Sequence, residues 1–297
     1  MAFYKLPLAA LLACAEILTG CATNTMTGRS QIVLVSEAVA AQRSAGFYNS
    51  MVHDWSKQRK VVEGQAINTR INRITNRLIQ QAVLYSPASA QWDWKVSVID
   101  DDQNVNAFCM PGGLMAMYTG LVKQLGATDD EIAQVMGHEI GHALAGHGAE
   151  KMSVQLASSV GVLAVSAAAT KNSREFQASN AVLSVAALSF INLPNSRVVE
   201  VEADRIGIEL AARAGYHPAA AVTLWQKMAS VDKSKNKAEF FSTHPAPERR
   251  QENLLALGEP MMALYQSAGT KGPAYDWLHG NKNSRPAVAA TGISFYR

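Results

Sequence analysis

The run His138-Glu139-Ile140-Gly141-His142 constrains this chain more than any other feature, because the pattern works chemically only inside a helix. Successive helical residues turn about 100°, so His138 and His142 fall on one stripe, one turn apart and about 40° from each other. Two imidazoles so placed can reach one tetrahedral zinc ion. Glu139 lies about 100° round from His138, beside the metal, where a base can take a proton from water that the metal polarises. The flanking residues favour a helix. Thr128-Asp129-Asp130-Glu131 has the form of a capping box, Ile132, Val135 and Met136 follow at helical spacing, and Gly146 and Gly148 are placed to end the helix.

A catalytic zinc needs a third protein ligand and one open position. His147 is near in sequence, but a continuous helix would set it about 180° from His138, so it is read as a surface or a helix-end histidine. The stretch Glu200-Val201-Glu202-Ala203-Asp204-Arg205 lies in a second helical pattern running from Val198 to Leu210. Glu200 and Asp204 share one face of it and Glu202 points the other way. That face offers a carboxylate ligand and, one turn on, a carboxylate that could orient a zinc-binding histidine or act as an acid. On spacing alone, the same acids suit a solvated helix face equally well.

These residues together resemble the gluzincin metallopeptidases, the group that includes HtpX-type heat-shock proteases, CAAX-processing proteases and periplasmic lipoprotein metalloproteases. The resemblance rests on His138–His142 with Ser196-Arg197 and Glu200–Gly207, on Asn106-Ala107-Phe108 with Pro111-Gly112-Gly113, on Thr243-His244-Pro245 with Arg249, and on Thr27–Gln31. It covers roughly residues 25–260. It implies one zinc per chain on His138, His142 and Glu200, with Glu139 as general base and Asp204 as a supporting acid. It implies His244 as an extra metal contact in a resting state. It also places Asn106, Ala107 and Phe108 near a substrate-binding strand edge, and Arg249 beside Asp204 or the reacting oxyanion. The fold expected is α+β and mostly α, a zincin-like domain with a small β-sheet.

Hydrophobic residues make up 48% of the 297 positions and charged residues 17%, which suits a globular protein with a sizeable core. The net charge is +3 with no long basic run, which argues against nucleic acid as a partner. Lys5 precedes an apolar stretch, Leu6 to Leu18, too short for a mature membrane span. Leu18-Thr19-Gly20-Cys21 resembles a bacterial lipoprotein signal. Residues 1–20 are therefore read as a signal peptide, Cys21 as the lipidated N-terminus and 21–35 as a tether. Residues 36–267 form the metallopeptidase domain and 268–297 a tail. Ala22 after the cysteine favours the periplasmic face of the outer membrane of a Gram-negative bacterium, with firm attachment by acyl chains. Cys109 is then the one cysteine left in the body of the chain, a packed thiol without a disulfide partner.

Ile67, Ile71, Ile74 and Leu78 mark an amphipathic helix, and Trp94–Ile99, Val105–Met110 and Leu114–Tyr118 read as strands turning at Pro111-Gly112-Gly113. Residues 154–169 and 181–193 are apolar but short of a span, and are read as buried helices separated by a polar loop at Lys171–Ser179. The functional expectation is hydrolysis of unfolded or misassembled envelope proteins, with outer-membrane assembly machinery as a candidate partner. Two rivals stand beside it: an assembly chaperone with a closed or structural zinc, and a zinc hydrolase of cell-wall peptides.

Overall fold

The computed structural model describes residues 21–169, 196–233, 239–244, 249–268 and 276–280. The leader, the polar loop at Lys171–Ser179, the 181–193 run, Pro245 and most of the tail lie outside them.

The motif helix, which we label α4, spans Asp129–Leu144. Its capping box forms as the sequence indicates: the Glu131 amide donates to the Thr128 hydroxyl at 3.2 Å, and the Thr128 amide donates to the Glu131 carboxylate at 2.9 Å. Three acids in its first turn complement the helix dipole. Every residue from Glu131 to Leu144 is buried, so polar groups at its centre must find partners inside the protein. Helix α4 ends at Leu144, with Gly146 at φ +66°, where a glycine carries no Cβ penalty. Gly148 does not end it. A second helix, α5, begins at His147 and runs to Ala169, enclosing Gly148.

Before α4 come α1 (Glu37–Lys57), α2 (Ala66–Tyr85) and α3 (Thr119–Gln124); after α5 come α6 (Arg197–Arg213), α7 (Ala220–Lys233), α8 (Glu239–Thr243) and α9 (Arg250–Ser267). Helix α2 is the expected amphipathic one. Ile71, Ile74 and Leu78 are fully buried, while Arg70 and Arg73 grip Asp129 at the start of α4. A three-stranded sheet of β3 (Lys95–Ile99), β4 (Ala107–Met110) and β5 (Leu114–Tyr118) has the order β3-β5-β4. Strands β4 and β5 form an antiparallel hairpin around Pro111-Gly112-Gly113, and both glycines have positive φ. Strand β4 thus sits at the sheet edge, with its face packed on α4. The expected α+β, mostly helical zincin-like architecture is what the chain adopts.

The segment read as a tether is docked. Strands β1 (Cys21–Thr23) and β2 (Ser30–Ile32) pair antiparallel, and Asn24 and Gln31 both donate to the Ala145 carbonyl at the end of α4. Among the described residues no helix is long and apolar enough to cross a membrane.

One contact places the functional side chains. Helices α4 and α6 touch backbone to backbone. A Cβ on Gly137 would lie 2.7 Å from the Gly207 carbonyl oxygen, one on Gly207 2.6 Å from the His138 amide nitrogen, and one on Gly141 2.9 Å from the Ala203 carbonyl oxygen. Only small residues permit this approach. Gly207→Ala is therefore expected to lower stability by about 1–3 kcal/mol through overpacking, read as the denaturant midpoint, and to weaken metal binding in parallel. An unchanged midpoint would mean that the helices do not meet so closely.

Candidate metal centre

The glycine contact brings the Glu200 and Asp204 face of α6 against the histidine stripe of α4. His138 Nε2 and His142 Nε2 are 3.0 Å apart, and the Glu200 carboxylate oxygens lie 3.4 and 3.3 Å from them. His244, just past α8, joins from the other side. Its Nδ1 is 3.1 Å from Glu200 and 3.4 Å from His138 Nε2. Each of the four residues contributes one ligand atom, all within 4.8 Å of one another, and all four are buried. Asp204 lies at 2.9 Å from His138 Nδ1, on the side of the ring away from the cluster. Two Nε2 atoms that face each other, with both Nδ1 atoms already engaged, turn lone pairs inward. A shared cation satisfies that arrangement, so the donor set fits a metal ion.

The electrostatics make the cluster a seat for positive charge. Burial alone would raise the carboxyl of Glu200, but the surrounding histidines, His244 and His142 foremost, hold it far below the usual range and keep it anionic. Burial likewise works against charge on His138, yet its bonds to Asp204 and Glu200 outweigh that and push it up to about 9. His142 goes the other way: burial takes it well below the ordinary value, which leaves the neutral ring that a ligand needs.

Glu139 is fully enclosed as well. Burial raises its carboxyl above the ordinary carboxylate range, and His244 and His138, with the backbone of Cys109 on β4, partly offset this. Its Oε1 is buried without a hydrogen bond, and His244 Nε2 lies 3.5 Å away. A carboxylate oxygen without a hydrogen bond beside such a cluster has the protonation tendency and the placement of a general base. Cys109 is buried and its thiol is pushed well up by burial, with Glu139 adding to the effect; it is a packing thiol, as expected.

Two expectations are corrected. His147 is not at the surface. Gly146 breaks the helix, and the turn folds His147 back so that its Nδ1 lies 2.8 Å from His142 Nδ1 and its Nε2 2.9 Å from Glu202. Arg249 does not reach Asp204. It caps α9 with its side chain 80% exposed, 3.7 Å from Glu252. The next residue, Arg250, turns inward. It is 2% exposed, donates to Glu200 at 3.1 Å and to Asp204 at 2.7 Å, and its guanidinium lies 3.5 Å over the ring of Trp225. Asn106, Ala107 and Phe108 are buried at the start of the edge strand β4, beside the cluster rather than in it.

Arg250 compensates two buried carboxylates at once. Arg250→Met is expected to cost about 3–5 kcal/mol in denaturant unfolding, because it strands those charges. Arg249→Ala is expected to stay within about 0.5 kcal/mol. Equal effects would contradict the assignment.

Comparison with known proteins points the same way. The model of peptidase family M48 matches residues 65–257. The mitochondrial metalloendopeptidase OMA1 of Arabidopsis thaliana is 34% identical over 200 residues, 67% of this chain and 38% of that protein. The metalloproteases LoiP and YcaL of Escherichia coli K12 are 28% identical over 247 residues and 29% identical over 248; these cover 81% and 82% of this chain and 91% and 94% of theirs. The chain thus spans well under two thirds of its mitochondrial relative and nearly all of the two bacterial ones. A family model that takes in His138, Glu139, His142, Glu200, Asp204, His244 and Arg250 together, on a chain that folds them into one buried cluster, leads to one conclusion: this chain belongs to peptidase family M48.

Proposed function

We propose that this protein is a zinc-dependent endopeptidase of the bacterial envelope. The observation that carries the reading is the Oε1 of Glu139, buried without a hydrogen bond beside three converging side chains, His138, His142 and Glu200. Zinc, when bound, supplies Lewis acidity that makes water a nucleophile near neutral pH and polarises a peptide carbonyl. Glu139 takes the proton from the attacking water and returns it to the leaving amine nitrogen; its raised carboxyl suits both halves of that task. Asp204 accepts from His138 Nδ1 and so fixes that ring with Nε2 inward. Arg250 holds Glu200 and Asp204 in register. Backbone pairing of an extended peptide with the edge strand β4 suits substrates chosen for being unfolded rather than for a sequence.

The substrates in this reading are unfolded or misassembled envelope proteins. The chain is anchored through a lipid on Cys21 to the outer membrane, with assembly machinery there as a candidate partner. The leader anatomy supports the anchor. Incorporation of labelled fatty acid into the wild type and not into Cys21→Ser checks the anchor.

A second reading has its own observation. His244 is stacked on Phe240, ring centroids 4.2 Å apart at 16°, and sits among the ligands. As a fourth ligand it leaves no position for water, which describes a latent enzyme or, if permanent, a structural zinc in a chaperone.

The purified protein is to be tested for cleavage of an unfolded protein and of a peptidoglycan fragment, with Glu139→Gln, His244→Ala and a chelator. The endopeptidase reading expects cleavage of the unfolded protein alone, lost on chelation and reduced about 100- to 10,000-fold in Glu139→Gln. A latent site expects His244→Ala to cut faster. Zinc binding without cleavage in either the wild type or His244→Ala leaves the chaperone reading standing.

A further inference from the structure

Each of the two ligand histidines on α4 has its outward nitrogen engaged, but by different means. His138 Nδ1 meets Asp204, which Arg250 holds. His142 Nδ1 meets His147 Nδ1 at 2.8 Å, and His147 Nε2 meets Glu202 at 2.9 Å. Arg29 Nε spans both Glu202 oxygens at 3.0 Å, while its two terminal nitrogens clasp Glu150 at 2.6 Å each. Arg29 belongs to the docked N-terminal segment, next to β2, and has no contact with the ligand cluster itself.

The protons in this chain have one consistent order. If His142 Nε2 offers its lone pair inward, its Nδ1 carries hydrogen and donates to His147 Nδ1. His147 Nδ1 is then an acceptor, so His147 Nε2 carries hydrogen and donates to Glu202. Glu202 is acceptor-only and needs a cation at its back, which Arg29 provides. The chain therefore fixes the tautomer and the ring plane of His142 from outside the site, as outer hydrogen-bond partners of metal ligands do.

We propose that His147, Glu202 and Arg29 are positioning residues for the metal ligand His142, so that the N-terminal segment governs how tightly the site holds its metal. The proposal rests on the reading of His142 as a ligand. Full-length protein is to be loaded with zinc and titrated against a competing chelator, and loaded separately with cobalt(II) for its ligand-field spectrum. The variants are Arg29→Met, Arg29→Lys, Glu202→Gln and His147→Phe. Arg70→Met serves as control, a partly buried arginine that also bridges to an acid, at the far end of α4. Metal affinity is expected to fall about 10- to 100-fold in Arg29→Met, Glu202→Gln and His147→Phe, with an altered cobalt spectrum. Arg29→Lys is expected to recover part of the loss, and Arg70→Met to bind as the wild type does.

His147 is buried, so if His147→Phe does not fold, Arg29→Met decides the matter; its side chain is 24% exposed. Wild-type affinity in a folded Arg29→Met overturns the proposal. So does its unfolding, or an equal loss in Arg70→Met, since either makes the clamp a prop for the fold alone. A wild type that binds no metal overturns instead the reading of His142 as a ligand.

Discussion

The site depends on the backbone contact between α4 and α6. Where Gly137 meets Gly207 and Gly141 meets Ala203, no side chain separates the helices. That brings carboxylates on one helix within reach of short imidazoles on the other. A methyl added on Gly137, Gly141 or Gly207 would meet the facing backbone at under 3 Å, so one packing constraint bears on both the core and the spacing of Glu200 from the two histidines. The cost is a core helix with two histidines and a glutamate at its centre. The protein offsets it with partners for almost every polar atom there, Arg250 and its Trp225 platform foremost.

Glu139 stands apart among the carboxylates there. It shares burial with its neighbours, yet one of its oxygens has no hydrogen bond, and burial raises its carboxyl. A carboxylate oxygen left without a hydrogen bond beside such a cluster points to function rather than stability. Around it His138 and His142 are each braced by a carboxylate that is itself held by an arginine. Asp204 with Arg250 does this for His138, and Glu202 with Arg29, through His147, does it for His142. One brace belongs to the second half of the domain, the other to its N-terminal segment.

Much of this is legible from local pattern. The capping box at Thr128, the stripe of His138 and His142, the shared face of Glu200 and Asp204, and the hairpin at Gly112-Gly113 all follow from helical or strand periodicity, which acts over a few residues. What periodicity misses involves a change of direction. Extending α4 one turn past its end misplaces His147, because Gly146 turns the chain just there. Arg249 and Arg250 are indistinguishable by type, but a helix begins between them, and only the second faces inward. Arg29 lies in a stretch singled out by resemblance, yet its link to His142 passes through two residues remote in sequence. The glycine just before His147 is the available signal for that residue; nothing local marks Arg250 or the role of Arg29.

The central claim is that His138, His142 and Glu200 form a metal site built from nitrogen and oxygen alone. X-ray absorption at the zinc edge of the purified protein tests it most directly. One zinc per chain is expected, with light-atom neighbours at about 2.0–2.2 Å, the scattering of two or three imidazole rings and no sulfur neighbour. Sulfur at about 2.3 Å, fewer than two imidazoles, or an unchanged spectrum in His138→Ala would contradict it.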